Sequence, residues 1–365
     1  MKGGGTMNTA ISKRYILALA IQRAPHLRSD EKLLLWDLID DERSLSLLSH
    51  RGLEESIGRS LNGRPWRPQD LVALALEDAD YLERSGSGYL HSDDPRYPAA
   101  LRETARPPFG LFFRGKALDG EAPAVAVVGT RCPTGKGLST AVLVASGLAR
   151  GGVTVVSGLA RGIDAAAHRG ALAARGATGA RGAVGATCAV GATCAVLPCG
   201  IDRIYPPANR DLASAILEGD GLLVSEYPPG DDLRTYRFPE RNRIIAGMAR
   251  SCVVIEAPAK SGALITADHA LDEGRDVWVA RACLGGARGA GIDKLAMEGA
   301  GLLDSATDIL ADFANNGFTA IDGAAREKGA NREANERADP AKGRVAAENS
   351  EGRRLAALLG EELES

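Results

Sequence analysis

The chain has 365 residues, 45% of them hydrophobic and 25% charged, with a formal net charge of −3. That composition fits an ordinary globular protein and excludes a globally basic nucleic-acid binder, though a local cationic groove stays open because the local field attracts phosphate. No apolar run reaches the ~20 residues needed to span a bilayer. The six cysteines (Cys132, Cys188, Cys194, Cys199, Cys252, Cys283) contain no CxxC pair and lie at no zinc-ligand spacing from a histidine, so buried free thiols and no metal site are expected.

The N-terminal apolar stretch is broken by Gln22 and Arg23 and lacks a small-residue cleavage site. It reads as the start of a helix rather than a signal peptide, and the cytoplasm is the expected compartment. Residues 9–90 repeat apolar side chains at helical spacing (Leu17, Leu19 and Ile21; Leu33, Leu34, Leu35 and Leu38; Leu71 to Leu76) between polar breaks such as NGRPWRP at 62–68. This predicts a helical N-terminal domain. Residues 91–115 are proline-rich and predict an irregular connecting segment.

Between 116 and 315 the pattern changes. Six short apolar runs, at 124–129, 153–157, 194–198, 222–226, 252–257 and 277–280, lack the alternation of a one-sided strand. Helical segments such as Leu138 to Arg150 and Ile163 to Arg175 separate them. Continuous apolar strands alternating with helices predict an α/β fold with a doubly wound, mostly parallel sheet covered on both faces. GATCAV at 185–190 recurs identically at 191–196. The second copy runs into LPCG and is assigned the third strand, while the first predicts a surface insertion. Residues 316–365 are charged and alanine-rich, which predicts disorder.

In an open parallel sheet, ligands collect at the C-terminal strand ends, where helix N-termini present amide donors. Each such end here carries a cation, a glycine or both: GTRCPTGKG, SGLARGID, CGIDRIYPPANR, EYPPGDDLRTYRFPERNRIIAG and APAKSGALITADHA. An anion-binding rim is the expectation. GTRCPTGKG has five residues between its first glycine and the Gly-Lys pair, and Gly137 stands where a magnesium-holding Ser or Thr belongs, so it does not match a P-loop. GxGxxG is absent after the first strand, and no cofactor is expected. Asp164 and His168, four apart, share a helix face, and Asp164 is placed to cap that helix. Glu226 and Glu256 end strands among arginines and read as ion-pair partners in preference to a metal site or an acid–base couple. In PERNRIIAG, Arg241 and Arg243 flank Asn242 at a helix start, presenting planar forks suited to phosphate and base stacking.

VVGTRCPTGKG, VVSGLARGIDAAAHRGAL, VLPCGIDRIYPPANRDL, LLVSEYPPG, FPERNRIIAGMA and KSGALITADHALDEGRDVWV, in this order, resemble the DprA/Smf family of bacterial DNA-processing proteins over about 90–312. The resemblance implies an extended Rossmann domain that binds single-stranded DNA without catalysis, forms homodimers and loads RecA recombinase onto the strand during natural transformation. Carried over motif by motif, the implied DNA-binding residues are Thr130, Arg131, Ser157, Gly158, Arg161, Arg241, Asn242 and Arg243. Lys260 and Ser261 join them on position. Ser157 and the Gly158 amide are expected to face the strand, with Asp164 steadying the helix behind. Few aromatic residues are available, so the electrostatic share of binding is expected to be large.

Three features depart from the family pattern. Gly291, Ile292 and Asp293 fill the turn where a Gly-Thr-Asn is usual, RAPHL replaces a Gly-Ile-Gly hairpin, and the tail shows no winged-helix counterpart. The alternative on a similar sheet is a nucleotide-processing, phosphoribohydrolase-like enzyme, although KSGALIT stands where that group carries Pro-Gly-Gly-x-Gly-Thr.

Overall fold

The computed structural model describes residues 9–116, 123–177 and 193–316. The first GATCAV copy, Cys188 and the tail beyond 316 lie outside the described residues.

Helices α1 (Thr9–Arg23), α2 (Ser29–Leu38), α3 (Glu42–Leu47), α4 (His50–Ile57) and α5 (Pro68–Ser85) occupy the region where leucine periodicity predicts them. Their limits follow from local chemistry. Asp41 and Ser49 cap α3 and α4 by accepting from Ser44 N and Gly52 N, Pro68 opens α5, and Gly58 and Gly86 close α4 and α5 at positive φ. The stretch expected to be irregular instead supplies α6 (Ala99–Arg102) and strand β2 (Gly110–Gly115), and β2 pairs with β1 (Ser87–His91). Glycines hide these two strands from a pattern search, yet Gly88 and Gly110 each sit beneath a ring. A Cβ at Gly88 would enter the Phe113 ring, and one at Gly110 would enter the Tyr89 ring.

The α/β part runs β3 (Ala124–Val128), α7 (Gly135–Arg150), β4 (Thr154–Ser157), α8 (Ile163–Ala177), β5 (Thr193–Leu197), α9 (Arg210–Glu218), β6 (Leu222–Ser225), α10 (Arg237–Gly247), β7 (Ser251–Val254), α11 (Gly262–Asp272), β8 (Asp276–Ala280), α12 (Ala290–Met297), β9 (Gly301–Leu303) and α13 (Ala306–Asn315). All six expected strands are present, and β5 begins in the second GATCAV copy. One nine-stranded sheet has the order β1-β2-β6-β5-β4-β3-β7-β8-β9, antiparallel only at β1/β2 and β2/β6. Successive strands step from β3 out to β6, and β7 then returns to the far side of β3. The switch point therefore lies between β3 and β7, and the loops after β3, β4, β5, β6 and β7 meet along one edge.

Both faces are buried. Cys194, Val196, Leu222 and Val224 pack into one core with α7, α10 and α11. The alternate residues Ala195, Leu197 and Leu223 join α9 and the N-terminal helices in the other. Those helices are thus a cover for the β5–β6 half of the sheet. Helices α7 and α8 approach unusually closely, because Ala141, Ala145, Ala167, Gly170 and Ala171 leave little side chain between them. At Gly170 a Cβ would stand 2.8 Å from the Val142 Cα. Gly170→Ala gains about 1 kcal/mol of intrinsic helix propensity, yet overpacking is expected to leave a net loss of about 1–2 kcal/mol. Urea denaturation measures this, and an unchanged or raised midpoint contradicts the close approach.

Candidate functional site

The loop after β4 is held from inside on every side. Ser157 is fully buried and its hydroxyl donates to the Val127 carbonyl at 2.7 Å. The Gly158 and Ala160 amides donate to Asp164 Oδ2 at 3.1 and 3.4 Å, and the Gly158 carbonyl accepts from Arg241 Nη1 at 2.7 Å. Arg241 Nη1 also donates to the Val196 carbonyl. Leu159 adopts a left-handed conformation (φ 56°), and its carbonyl accepts from Asn209 Nδ2 at 2.9 Å. Only glycine fits at 158, since a Cβ there would lie 2.7 Å from both Arg241 Nη2 and Asp164 Oδ2. Burial lowers the Arg241 pKa to about 10, where it stays charged at neutral pH. Burial also pushes the Asp164 carboxyl above its usual range, with the Arg241 charge opposing it.

Ser157, the Gly158 amide and Arg241 are directed to partners inside the protein. They make the loop rigid, because buried polar groups must find partners inside the protein. Asp164 steadies the loop amides as well as opening α8. Thr130 is buried, accepts from Cys132 N at 3.3 Å and passes its backbone to Glu256 and Ile163. Arg243 is half-buried and forms a salt bridge to Glu226 at 2.6 Å, with Nη1 on the Arg106 carbonyl. Asn242 bridges to the Gly262 carbonyl at 3.3 Å and accepts from Arg241 Nε, tying the starts of α10 and α11 together. Ser261 caps α11 through Ala263 N.

Three of the predicted residues remain open: Arg131, Arg161 and Lys260 are exposed. The first two come from adjoining loops, since a Cβ at Gly162 would touch Arg131 and Pro133. The Arg131 guanidinium lies over the Phe238 ring at 5.2 Å from its centroid, and Phe238 meets Tyr205 edge-on at 5.6 Å. Tyr236, two residues before Phe238, is 54% exposed. These rings are not among the residues expected from the motifs. Their signal is an aromatic residue in each of two proline-bearing rim loops, IYPP and TYRFPE. Together they give the rim a cationic edge with stacking faces, which can hold a phosphate chain and its bases.

The rim carboxylates divide. Glu226 pairs with Arg243 as expected. Glu256 differs, because it is buried and accepts from Thr134 N at 2.8 Å and Thr134 Oγ1 at 2.5 Å. Its carboxylate thus holds the residue that caps α7. Among the described residues no cluster of His, Cys, Asp or Glu could hold a metal ion, and no helix is long and apolar enough to cross a membrane. Cys132 is exposed on the loop after β3, contrary to expectation, while Cys194, Cys199, Cys252 and Cys283 are buried.

A nine-stranded doubly wound sheet whose C-terminal edge combines tightly held loops, exposed cations and rings defines a Rossmann-like protein with a cationic, ring-bearing rim. Residues 88–314 match the family model for DNA recombination-mediator protein A, so the chain belongs to that family, DprA/Smf. It is 39% identical over 234 residues to protein Smf of Synechocystis, covering 63% of this chain and 52% of that protein; the chain therefore spans about half of this relative's length. The crystal structure of DprA from Streptococcus pneumoniae superposes with a TM-score of 0.62 at 32% identity, covering 80% of this chain and 95% of that one. DNA processing protein A of Helicobacter pylori, whose structure describes a single-stranded DNA binding mode, shares the fold (TM-score 0.53, 24% identity, 63% of this chain and 96% of that one).

His168 lies behind the rim, fully buried. The Thr193 hydroxyl gives its one hydrogen to the Val155 carbonyl, so His168 Nδ1, 2.7 Å away, must donate to Thr193 Oγ1. That leaves Nε2 buried without a partner. Burial lowers the His168 pKa from 6.5 to about 3, with the Arg241 charge adding to the shift. The ring is neutral in the native protein and takes a proton in the unfolded chain below about 6.5. Its contribution to stability is therefore complete above that pH and declines as pH falls toward about 3. Urea midpoints from pH 7.5 to 4.5 should fall more steeply for the wild type than for His168→Gln, and parallel curves contradict the assignment.

Proposed function

We propose that this chain binds single-stranded DNA along the C-terminal edge of its sheet and hands the strand to a RecA-type recombinase. The process served is the recombination that follows DNA uptake, in the cytoplasm, with the protein acting as a homodimer and changing no covalent bond. The observation that carries this reading is the group formed by Arg131 over the Phe238 ring, Tyr205 edge-on to Phe238, and the exposed Arg161 from the adjoining loop. Family membership and the described binding mode of the H. pylori protein support it.

Arg131, Arg161 and Lys260 contact phosphates, and Phe238 with Tyr205 receives bases. Thr130, Ser157, Gly158, Arg241, Asn242, Arg243 and Ser261 act one layer below, as the frame that displays those groups. Specificity for single strands comes from stacking, since a duplex keeps its base faces covered. The enzyme alternative requires open rim carboxylates, whereas Glu226 and Glu256 are engaged by Arg243 and Thr134.

Fluorescence polarisation of a labelled thymidine oligonucleotide across salt concentrations tests this. Arg131→Ala and Arg161→Ala should each weaken binding and flatten the log–log salt slope by about 0.7. Phe238→Ala should weaken it by about 1–3 kcal/mol with little change of slope. Salt-independent binding, or affinity indifferent to all three changes in folded protein, contradicts the proposal.

A further inference from the structure

The loop between β6 and α10 brings Arg237, Phe238, Arg241, Asn242 and Arg243 to the rim, and the N-terminal helices grip it from the other side. Arg23, the last residue of α1, donates Nε and Nη2 to the two carboxylate oxygens of Asp78 on α5, at 2.5 and 2.6 Å. Asp78 is 2% exposed. The same Nη2 donates to the Pro229 carbonyl at 2.9 Å. Two residues further on, Asp231 lies within electrostatic range of Arg23 and forms a salt bridge to Arg237 at 2.7 Å. Arg237 is the first residue of α10, lies 4.0 Å over the Tyr227 ring and also donates to the Asp232 carbonyl.

A second strand of contacts runs alongside. Gln22 donates to the Glu226 carbonyl at 2.7 Å, and the Glu226 side chain holds Arg243. The Lys32 ammonium, from α2, donates to the Gln22 carbonyl at 2.6 Å. Polar contacts thus link α5 and α1 to both ends of the segment 226–243. No residue of this link reaches the open cations. Its placement is nevertheless specific: a bidentate guanidinium–carboxylate pair fixes both distance and plane.

We propose that Arg23 and Asp78 are positioning residues for the DNA interface, so that the N-terminal helices set the pose of the start of α10 through the Pro229–Asp231 turn. This rests on the reading of the rim as the DNA interface. Losing the grip leaves the sheet and the open arginines intact while Phe238 drifts from its place beneath Arg131 and edge-on to Tyr205.

The full chain is compared with Asp78→Asn and with the apolar pair Arg23→Met/Asp78→Leu. Removing one partner strands a buried charge, whereas replacing both with packed apolar groups restores stability. A role confined to global stability is thus rescued in the double variant, and a positioning role is not. Hydrogen exchange needs no DNA: amides of 226–243 should exchange faster in both variants, with β3, β4 and β7 unchanged. For the thymidine oligonucleotide, both should bind about tenfold more weakly, a change of about 1.4 kcal/mol. Arg84→Ala, which opens an exposed ion pair on the same helix, should bind as the wild type does. Wild-type exchange in 226–243 in the folded double variant overturns the proposal, and so does wild-type affinity there. If the wild type does not bind the oligonucleotide, the interface reading fails and exchange alone decides the relay. If Asp78→Asn does not fold, the double variant decides.

Discussion

The Arg241 guanidinium and the Asp164 carboxylate both lie against Gly158, the first on its carbonyl and the second on its amide. Each charged group is buried, Asp164 matched by the Gly158 and Ala160 amides and Arg241 by the Gly158 and Val196 carbonyls. An arginine so placed cannot move without leaving a charge unsolvated, and the loop cannot move without leaving carbonyls and amides unpaired. The loop is consequently a fixed surface. It sets the position of Arg161 and, through the contact of Gly162 with the neighbouring turn, that of Arg131. Asn242 extends the same constraint to the start of α11.

These arginines at and behind the rim therefore fall into two kinds. Arg23, Arg237, Arg241 and Arg243 have carboxylate or carbonyl partners and build the frame. Arg131 and Arg161 are exposed and carry charge to the solvent. A net charge of −3 is compatible with a local positive edge because net charge sums over the whole chain, whereas the exposed Arg131, Arg161 and Lys260 act locally. The aromatic faces add a sequence-tolerant term that salt does not screen.

The parallel strands were legible because burial on both faces writes an uninterrupted apolar run, and β3 to β8 stand where those runs are. Strands β1, β2 and β9 were not, because each includes glycine, and the Phe113, Tyr89 and Trp278 rings cover Gly88, Gly110 and Gly301 where a side chain would stand. The candidate site residues were singled out by motif, but the partners the fold gives them were not. A run such as Arg-Asn-Arg does not reveal that Arg241 points into the protein, Arg243 toward Glu226 and neither toward solvent; that depends on which face of α10 the sheet covers. Phe238 and Tyr205 stand 33 positions apart and become neighbours only when the loops after β5 and β6 meet. Cys132 escaped its expected burial for a similar reason, lying on a loop that projects past the core.

The most direct measurement is photocrosslinking of an oligonucleotide bearing 4-thiothymidine to the wild-type protein, followed by mass spectrometric mapping of the crosslinked peptides. Crosslinks confined to the loops after β3, β4, β5 and β6, with Phe238 or Tyr205 among the modified residues, are the expected result. Crosslinks concentrated on the N-terminal helices, or on the opposite edge of the sheet, would show that the rim is not where the strand lies.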